Sequence, residues 1–269
     1  MRTAGVGRSS GTRLETPVAV TTAGRGPRVL LVHGGANPST TWEPLTPLAA
    51  RWTLIMLHRR GYPPSPPEQG EGHDFDVDAD DIAGLLTPRP HIVAHSYGAL
   101  GALIAAARAP EHIRSLVLVE PALHNLVPDD PAVARFEQIG NDVLTHGLET
   151  DPAALREFLR IAGASNVTDA PLPDPVARGV RRAHGSRLPG DARIDLAAIR
   201  NAGIPTLVVS GAHNEAIERI CDAAALQLEG ERLVLPGAGH FVMRAAGFTH
   251  RLKRFLAFAG ADRGGISGD

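Results

Sequence analysis

Short apolar runs recur along the chain and predict the strands of a single sheet. Each run is rich in Val, Leu and Ile, is nearly continuous, and is followed by Gly, Pro or a polar residue. Continuous apolar runs of this length are typical of parallel strands that are buried on both faces. The predicted parallel strands are RVLLVH (28–33), TLIMLH (53–58), HIVAH (91–95), SLVLVE (115–120), PTLVVS (205–210) and ERLVLP (231–236).

Alanine-rich, helix-compatible stretches separate most of these runs. Examples are DVDADDIAGLL (76–86), GALIAAARA (101–109) and AIERICDAAALQL (216–228). Strands that alternate with helices predict an α/β fold in which helices cover a mostly parallel sheet on both faces. A further apolar run, TPVAVTT (16–22), predicts an antiparallel edge strand before the first parallel one.

The interval 121–193 breaks this alternation. It contains no convincing strand, only polar, proline-containing segments of helical character. An ordinary crossover needs one helix and a few loop residues, so this interval is too long to be one. We interpret it as a helical cap inserted over one edge of the sheet; the alternative is a set of packing helices with no role in access. The predicted core then comprises 14–120 and 194–260, and the ends, 1–13 and 261–269, are predicted to be disordered.

Composition and charge narrow the classes of function. Apolar residues make up 43% of the 269 residues, charged residues 21%, and the formal net charge is −2. These values are ordinary for a globular protein and provide no basic field for nucleic acid or an anionic membrane. The single cysteine excludes an internal disulfide and a cysteine-based zinc cluster. No run has the apolar length of a signal peptide, or of a membrane span, which needs about 20 residues.

These observations favour a cytoplasmic protein whose partner is a small molecule. The acidic and histidine side chains of the proline-rich stretch 62–76 lack metal-ligand spacing on any one element. We therefore expect no metal and no other cofactor. Formation of a homodimer is left open.

The pentapeptide Ala94-His95-Ser96-Tyr97-Gly98 joins a predicted strand to a predicted helix. It departs by one residue, Ala94, from the Gly-x-Ser-x-Gly nucleophile elbow. The elbow needs small residues two positions before and after the serine, because the strained turn brings the helix against the strand. Alanine is the smallest side chain after glycine, so the motif is weakened without being broken. The alternative is that Ser96 only caps the helix, but its place between strand and helix favours a nucleophile.

A glycine turn, His33-Gly34-Gly35-Ala36, follows the first predicted parallel strand. A serine that attacks a carbonyl needs N–H donors for the oxyanion, and losing one donor typically costs about 2.7–4 kcal/mol of transition-state stabilisation. We predict that the N–H groups of Gly35 and Tyr97 form this oxyanion hole. We also predict that Gly34 and Trp42 contact the substrate, although core packing explains Trp42 at least as well.

His240 follows the last predicted strand in the glycine-flanked loop LPGAGHF (235–241). A serine hydroxyl is a weak nucleophile until a base takes its proton, which histidine can do near neutral pH. The chain has 12 histidines, so residue type alone does not identify the base. Reactive groups of open parallel sheets gather at the carboxyl ends of the strands, and His240 occupies such an end.

These three motifs, in this order, resemble the α/β-hydrolase superfamily. The resemblance extends over about residues 17–259 and includes the loop LHRRGYPPS (57–65). That loop is similar to the family's Asp-x-Arg-Gly-x-Gly-x-Ser segment, with His58 where aspartate is usual. The resemblance implies that Ser96 is the nucleophile and His240 the base. It also implies that Gly35 and Tyr97 form the oxyanion hole and that 121–193 is the lid.

The acid of the family's triad is missing from its usual place. Family members commonly carry it as an Asp in the loop after the strand predicted here at 205–210, and the aligned residue is Asn214. A neutral amide cannot stabilise the imidazolium formed during attack, and this exchange in a serine-protease triad costs about 10⁴ in turnover. Two carboxylates are candidates in its stead, Glu215 and Glu120.

We expect Glu120 to be the acid. It ends an apolar strand at the edge of the sheet where the site is predicted, and a carboxylate there is costly to bury without a partner. Certain haloalkane dehalogenases and the fungal zearalenone lactonases take their acid from this strand, and the chain resembles the lactonases in using Glu. One alternative is Glu215, whose place in the first turn of a helix suits an ordinary dipole partner. The other is that no working acid exists.

A serine at the elbow points to acyl transfer onto water. We expect a serine hydrolase of the carboxylesterase or lactonase type (EC 3.1), since a cap implies an enclosed and partly apolar pocket. Two other functions remain open. A hydrolase-like receptor with little or no turnover would explain Asn214. Cofactor-free C–C hydrolysis or perhydrolysis, without an acyl-enzyme, would keep Ser96 but make esters poor substrates.

Overall fold

The computed structural model of the protein describes residues 16–164, 167–168 and 171–261. Within these ranges the strands are β1 (Val20–Ala23), β2 (Arg28–Val32), β3 (Thr53–Leu57), β4 (His91–His95), β5 (Ser115–Val119), β6 (Thr206–Ser210) and β7 (Glu231–Val234). They form one seven-stranded sheet in the order β1-β3-β2-β4-β5-β6-β7. All neighbours pair in parallel except β1, which runs antiparallel to β3.

The mostly parallel α/β architecture predicted from the apolar runs is confirmed. The parallel strands begin and end within two residues of their predicted bounds, and the largest difference is the end of β7 at Val234. The edge strand is antiparallel as predicted but begins only at Val20. Strands β4, β5 and β6 are buried at every position. Burial on both faces explains why their sequences do not alternate between apolar and polar residues.

Helices cover both faces of this sheet. The α-helices are α1 (Pro38–Trp42), α2 (Phe75–Ala83), α3 (Gly98–Arg108), α4 (Pro131–His146), α5 (Pro152–Ile161), α6 (Asp174–Ala183), α7 (Leu196–Asn201), α8 (Glu215–Gln227) and α9 (Phe248–Ala261). Short 3₁₀ helices span Glu43–Ala50, Pro110–His112, His124–Leu126, Gly147–Glu149, Pro189–Asp191 and Val242–Arg244. None of the described helices is long and apolar enough to cross a membrane.

The two faces of the sheet have separate cores because successive strand residues point to opposite sides. On β2, Leu30 and Val32 join the core formed with α2, α3, α7 and α8. Their neighbours Val29 and Leu31 join the core formed with α9 and the segment Trp42–Leu48. The sheet is therefore sandwiched between two helical layers.

Polar residues just before several helices explain where those helices begin. The side chains of Asp74, Asp130 and Asn214 accept backbone N–H bonds from the first turns of α2, α4 and α8. Such N-caps satisfy donors that have no partner inside the helix. The first turn of α8 is thus secured by Asn214.

The described part of the interval 121–193 contains the helices α4, α5 and α6, joined by turns and short 3₁₀ helices, and no strand. Four buried residues form a small core of its own, namely Val143, Leu155, Leu159 and Val180. The cap function and the domain boundaries stay predictions. The predicted disordered ends, 1–13 and 262–269, lie outside the described residues, whereas residue 261 belongs to α9.

Candidate active site

Ser96 lies in a sharp turn between β4 and α3. Its φ is 53°, in the left-handed region that residues other than glycine seldom adopt. Its N–H donates a 3.0 Å hydrogen bond to the carbonyl of Val119, the last residue of β5. Backbone strain of this kind is maintained only where the surrounding structure imposes it, and it is common at functional sites. The turn has the geometry of a nucleophile elbow.

Close packing explains the small residues around this serine. A Cβ added at Gly98 would overlap the backbone carbonyl of His33. A Cβ added at Gly34 would lie 2.8 Å from the Ser96 Cβ. Ala94, by contrast, is fully buried within the core, which accommodates its methyl group. The elbow therefore tolerates alanine at its first small position and requires glycine at its second.

The two predicted oxyanion donors have free N–H groups. In the described part of the chain, neither the Gly35 N–H nor the Tyr97 N–H has a hydrogen-bond partner. Gly35 is exposed and Tyr97 is half-buried, so a ligand can reach both donors. Both remain available to bind an oxyanion.

The oxyanion loop is held from behind by two residues that the sequence did not single out for this purpose. The Tyr62 hydroxyl donates to the Gly35 carbonyl at 2.8 Å, and the Arg59 guanidinium donates to the Gly34 carbonyl at 3.1 Å. Arg59 is itself paired with Asp78 at 2.7 Å. The Arg59 bond fixes the peptide plane that carries the Gly35 N–H, and the Tyr62 bond holds the next peptide of the same loop.

His240 and Glu120 are in direct contact. The His240 Nδ1 lies 2.7 Å from the Glu120 Oε2, and the other carboxylate oxygen accepts the Gly211 N–H at 2.7 Å. The Glu120 side chain has no exposed surface. Its φ of 45° is a second case of backbone strain, and this conformation turns the side chain from the strand end toward the histidine loop.

Glu120 is ionised despite its burial. Burial by itself raises the pKa of a carboxyl group, but the neighbouring His213 and His240 outweigh it and lower the pKa of Glu120 to about 2. A carboxylate accepts but does not donate hydrogen bonds. The His240 Nδ1 must therefore carry the proton, which leaves the Nε2 lone pair free to act as a base.

The two rival positions for the acid are engaged elsewhere. Asn214 accepts the Ile217 N–H as the N-cap of α8. The Glu215 side chain is 69% exposed and pairs with Arg219 at 3.2 Å. Of the three candidates, the structure brings only Glu120 to His240. Its catalytic role stays a prediction.

His95 secures the loop that carries His240. Its Nε2 lies 3.1 Å from the His240 carbonyl, so this nitrogen is the donor. Burial, followed by the nearby His240, lowers the pKa of His95 to about 3. The ring therefore stays neutral near pH 7 and links the end of β4 to the loop after β7.

The Ser96 hydroxyl makes no direct hydrogen bond to His240 among the described residues. In unliganded sites such bonds are often long and shorten when substrate binds.

The structure places Trp42 away from open space, since its ring is fully buried in the core beside α9. This position accounts for Trp42 as a packing residue, and its contact with substrate stays a prediction.

The side chains around Glu120 include residue types that bind metal ions. Glu120, His213 and His240 each offer one ligand atom, and these atoms lie within 4.8 Å of one another. Zinc binds such ligands at about 2.0–2.2 Å in tetrahedral geometry, which separates two ligand atoms by about 3.3 Å or more. The 2.7 Å between His240 Nδ1 and Glu120 Oε2 is shorter and is a hydrogen bond. Glu120 and His240 form a hydrogen-bonded pair, and His213 lies at ion-pair distance from the same carboxylate.

His213 was not predicted as a site residue. Its Nδ1 lies 3.4 Å from the Glu120 Oε1, in the loop after β6 where the family usually carries its acid. That position, one residue before Asn214, was the available signal.

The chain is similar to known proteins over most of its length. A family model described as "Alpha/beta hydrolase family" matches residues 29–251. A 2-(acetamidomethylene)succinate hydrolase from Mesorhizobium japonicum is 32% identical over 240 residues, which cover 81% of this chain and 83% of that protein. A pimeloyl-(acyl-carrier protein) methyl ester esterase from Neisseria meningitidis is 27% identical over 251 residues, with coverage of 90% and 77%.

Solved structures show the same fold. A carboxylesterase structure from the ammonia-oxidizing thaumarchaeon Nitrososphaera gargenis superposes with a TM-score of 0.67 over 95% of this chain and 99% of that chain. The sequence identity of that pair is 17%. At this identity the likeness concerns the fold alone.

Proposed function

Because the chain belongs to the alpha/beta hydrolase family, we propose that it is a serine hydrolase that cleaves a carboxylic ester or lactone through an acyl-enzyme. The observation that carries this proposal is the Glu120–His240 hydrogen bond of 2.7 Å. Through this bond Glu120 provides the carboxylate that is missing at Asn214. The bond uses the His240 Nδ1 and so leaves the Nε2 free to take the serine proton.

The reaction proceeds in two acyl transfers. In the first, the Ser96 Oγ attacks the acyl carbon while His240 takes the hydroxyl proton, and Glu120 stabilises the resulting imidazolium. The N–H groups of Gly35 and Tyr97 stabilise the oxyanion. The tetrahedral intermediate then collapses, the alkoxide leaves with the proton from His240, and Ser96 remains acylated.

In the second transfer, His240 activates a water molecule. The water attacks the acyl-enzyme carbonyl, the same N–H groups stabilise the second oxyanion, and the acid product leaves as the proton returns to Ser96. For a lactone, acid and alcohol are parts of one product molecule. The similarity to an ester hydrolase supports acyl hydrolysis on this fold. The substrates that we propose are small to medium esters or lactones in the cytoplasm. In this proposal the interval 121–193 is the cap over the site.

A receptor without turnover is the second candidate, because Asn214 replaces the usual acid. Glu120 argues against it. A carboxylate that is fully buried, ionised and bonded to the candidate base is costly to maintain, and a receptor would gain nothing from it.

The first test is covalent labelling with a fluorophosphonate, read out by intact mass. Wild type is expected to gain one adduct, Ser96→Ala none, and Glu120→Gln one adduct at a much lower rate. Ser39→Ala, which removes an exposed hydroxyl near the oxyanion loop, is the matched control and should label like wild type. An unlabelled wild type would refute an activated Ser96. A panel of esters and lactones then identifies the substrate.

A further inference from the structure

Glu120 has a second imidazole partner. The His213 Nδ1 lies 3.4 Å from the Glu120 Oε1, and its side chain is 19% exposed. The His213 Nε2 lies 3.0 Å from the carbonyl of Ile161, the last residue of α5. Each carboxylate oxygen thus faces a different histidine, and one of these histidines also reaches the 121–193 interval.

Both ring nitrogens of His213 face acceptors. A neutral imidazole carries one N–H and one lone pair, so it would direct a lone pair at either the carboxylate or the carbonyl. An imidazolium donates to the carbonyl and places its second N–H, with a positive charge, 3.4 Å from the carboxylate, an ion-pair distance at which no hydrogen bond is formed. The nearby Glu120 carboxylate raises the pKa of His213, against the opposing effect of burial. The geometry and the electrostatics agree on the charged form.

The other groups around His213 do not reverse the rise in its pKa. From α8, Glu218 adds a negative charge, which is shared with Arg232 of β7 at 2.6 Å. From the loop after β7, the His240 ring centroid lies 6.2 Å away. His95 at the end of β4 lies behind His240, 4.5 Å from its ring, and is neutral. The element α5 contributes the Ile161 carbonyl.

We propose that His213 is a positioning residue for the triad acid: as an imidazolium it holds the second oxygen of Glu120 and ties that carboxylate to the end of α5. This inference rests on the proposed function for its kinetic consequence. A cation on the same carboxylate opposes a second positive charge on His240. His240 therefore stays unprotonated, and the enzyme stays active, at lower pH than with a neutral residue at position 213.

The kinetic test is the pH dependence of kcat/KM for wild type, His213→Gln and His213→Lys. In His213→Gln the acidic limb is expected to move to higher pH by about 0.5 to 1 pH unit, the size of one charge removed at this distance. His213→Lys restores the charge and should bring the limb back. His184→Gln, which removes an imidazole bonded to the Thr145 carbonyl, is the matched control and should leave it unmoved. A limb that stays in place or moves to lower pH in His213→Gln refutes the proposal, whatever the loss of rate.

The second test does not depend on activity. ¹⁵N NMR of the histidine rings in Ser96→Ala, at pH 6.5, reports whether each ring nitrogen of His213 is protonated. The His213 signals are identified by their loss when His213→Gln is added to Ser96→Ala. An ordinary imidazole is about half protonated at this pH, and His213 is expected to be protonated at both nitrogens in most molecules. A predominantly neutral ring would overturn the inference even if ester hydrolysis is established. A charged ring in a protein without hydrolase activity would refute only the proposed function.

Discussion

His240 and Glu120 lie 120 positions apart in the chain and are joined by a 2.7 Å hydrogen bond between the His240 Nδ1 and the Glu120 Oε2. Strand order makes this contact available, since β5 lies beside both β4 and β6 and ends at the same edge of the sheet. The strained backbone at Glu120 then turns its carboxylate toward the histidine.

Replacing Glu120 should remove most of the catalytic rate. Glu120→Gln keeps the size of the side chain but loses the negative charge that stabilises the imidazolium, and kcat is expected to fall about 10³- to 10⁴-fold. Glu215→Gln is the matched control, because its carboxylate is exposed and, within the described residues, bonded only to Arg219. It should retain wild-type kcat in the same ester assay. Equal losses in both variants would contradict the assignment of the acid.

Gly98→Ala should destabilise the fold. The new methyl group would overlap the His33 carbonyl, which is backbone and cannot move aside cheaply. Overpacking of this kind typically costs about 1–3 kcal/mol or more in the free energy of unfolding. Gly179→Ala in α6 meets no atom within 4 Å and should stabilise the protein by about 0.5–1 kcal/mol, because alanine suits a helix interior better. Urea unfolding of the two variants measures the difference in sign.

Tyr62→Phe should lower kcat more than it changes KM. The variant leaves the Gly35 carbonyl without its 2.8 Å donor, so the oxyanion loop loses a contact that holds the peptide directly after the Gly35 N–H. A buried hydrogen bond of this type is worth about 1 kcal/mol, which corresponds to a fall of about 5- to 10-fold in rate. Steady-state kinetics distinguish this outcome from a binding defect, in which KM would rise and kcat would stay the same.

The free energy of unfolding should fall as the pH drops below about 6.5. Burial lowers the pKa of His91 and His124 to about 4, of His95 to about 3 and of His73 to about 2. These rings stay neutral in the fold, while their unfolded counterparts take up protons from about pH 6.5 downward. Each therefore contributes stability that is complete above this pH and is lost as the pH falls toward the folded value. The loss is about 1.4 kcal/mol per pH unit and per ring.

Urea unfolding between pH 7.5 and 4.5 measures this slope. His124→Gln removes one such ring and should reduce the slope by about one proton. His146→Gln, which removes an exposed ring at the end of α4, should leave it unchanged. A slope that is the same in all three proteins would show that buried histidines do not govern acid stability here. Below about pH 4.5, Glu120 adds to the loss, because its carboxyl takes up a proton in the unfolded chain while it stays ionised in the fold down to about pH 2.

The sequence by itself determined the strands, the helices between them, the elbow at Ser96 and the loop of His240. Continuous apolar runs reflect burial on both faces of a parallel sheet, and small residues around a serine reflect a tight turn; both are local properties that each segment carries in its own composition. The tertiary structure decided which carboxylate meets His240, since Glu120 and Glu215 both follow strands and differ only in where the assembled sheet directs them. It also brought His213 to Glu120, and the Tyr62 hydroxyl to the Gly35 carbonyl. These contacts join segments that are distant in the chain, so they depend on strand order and on strained backbone at single residues, which no local pattern encodes.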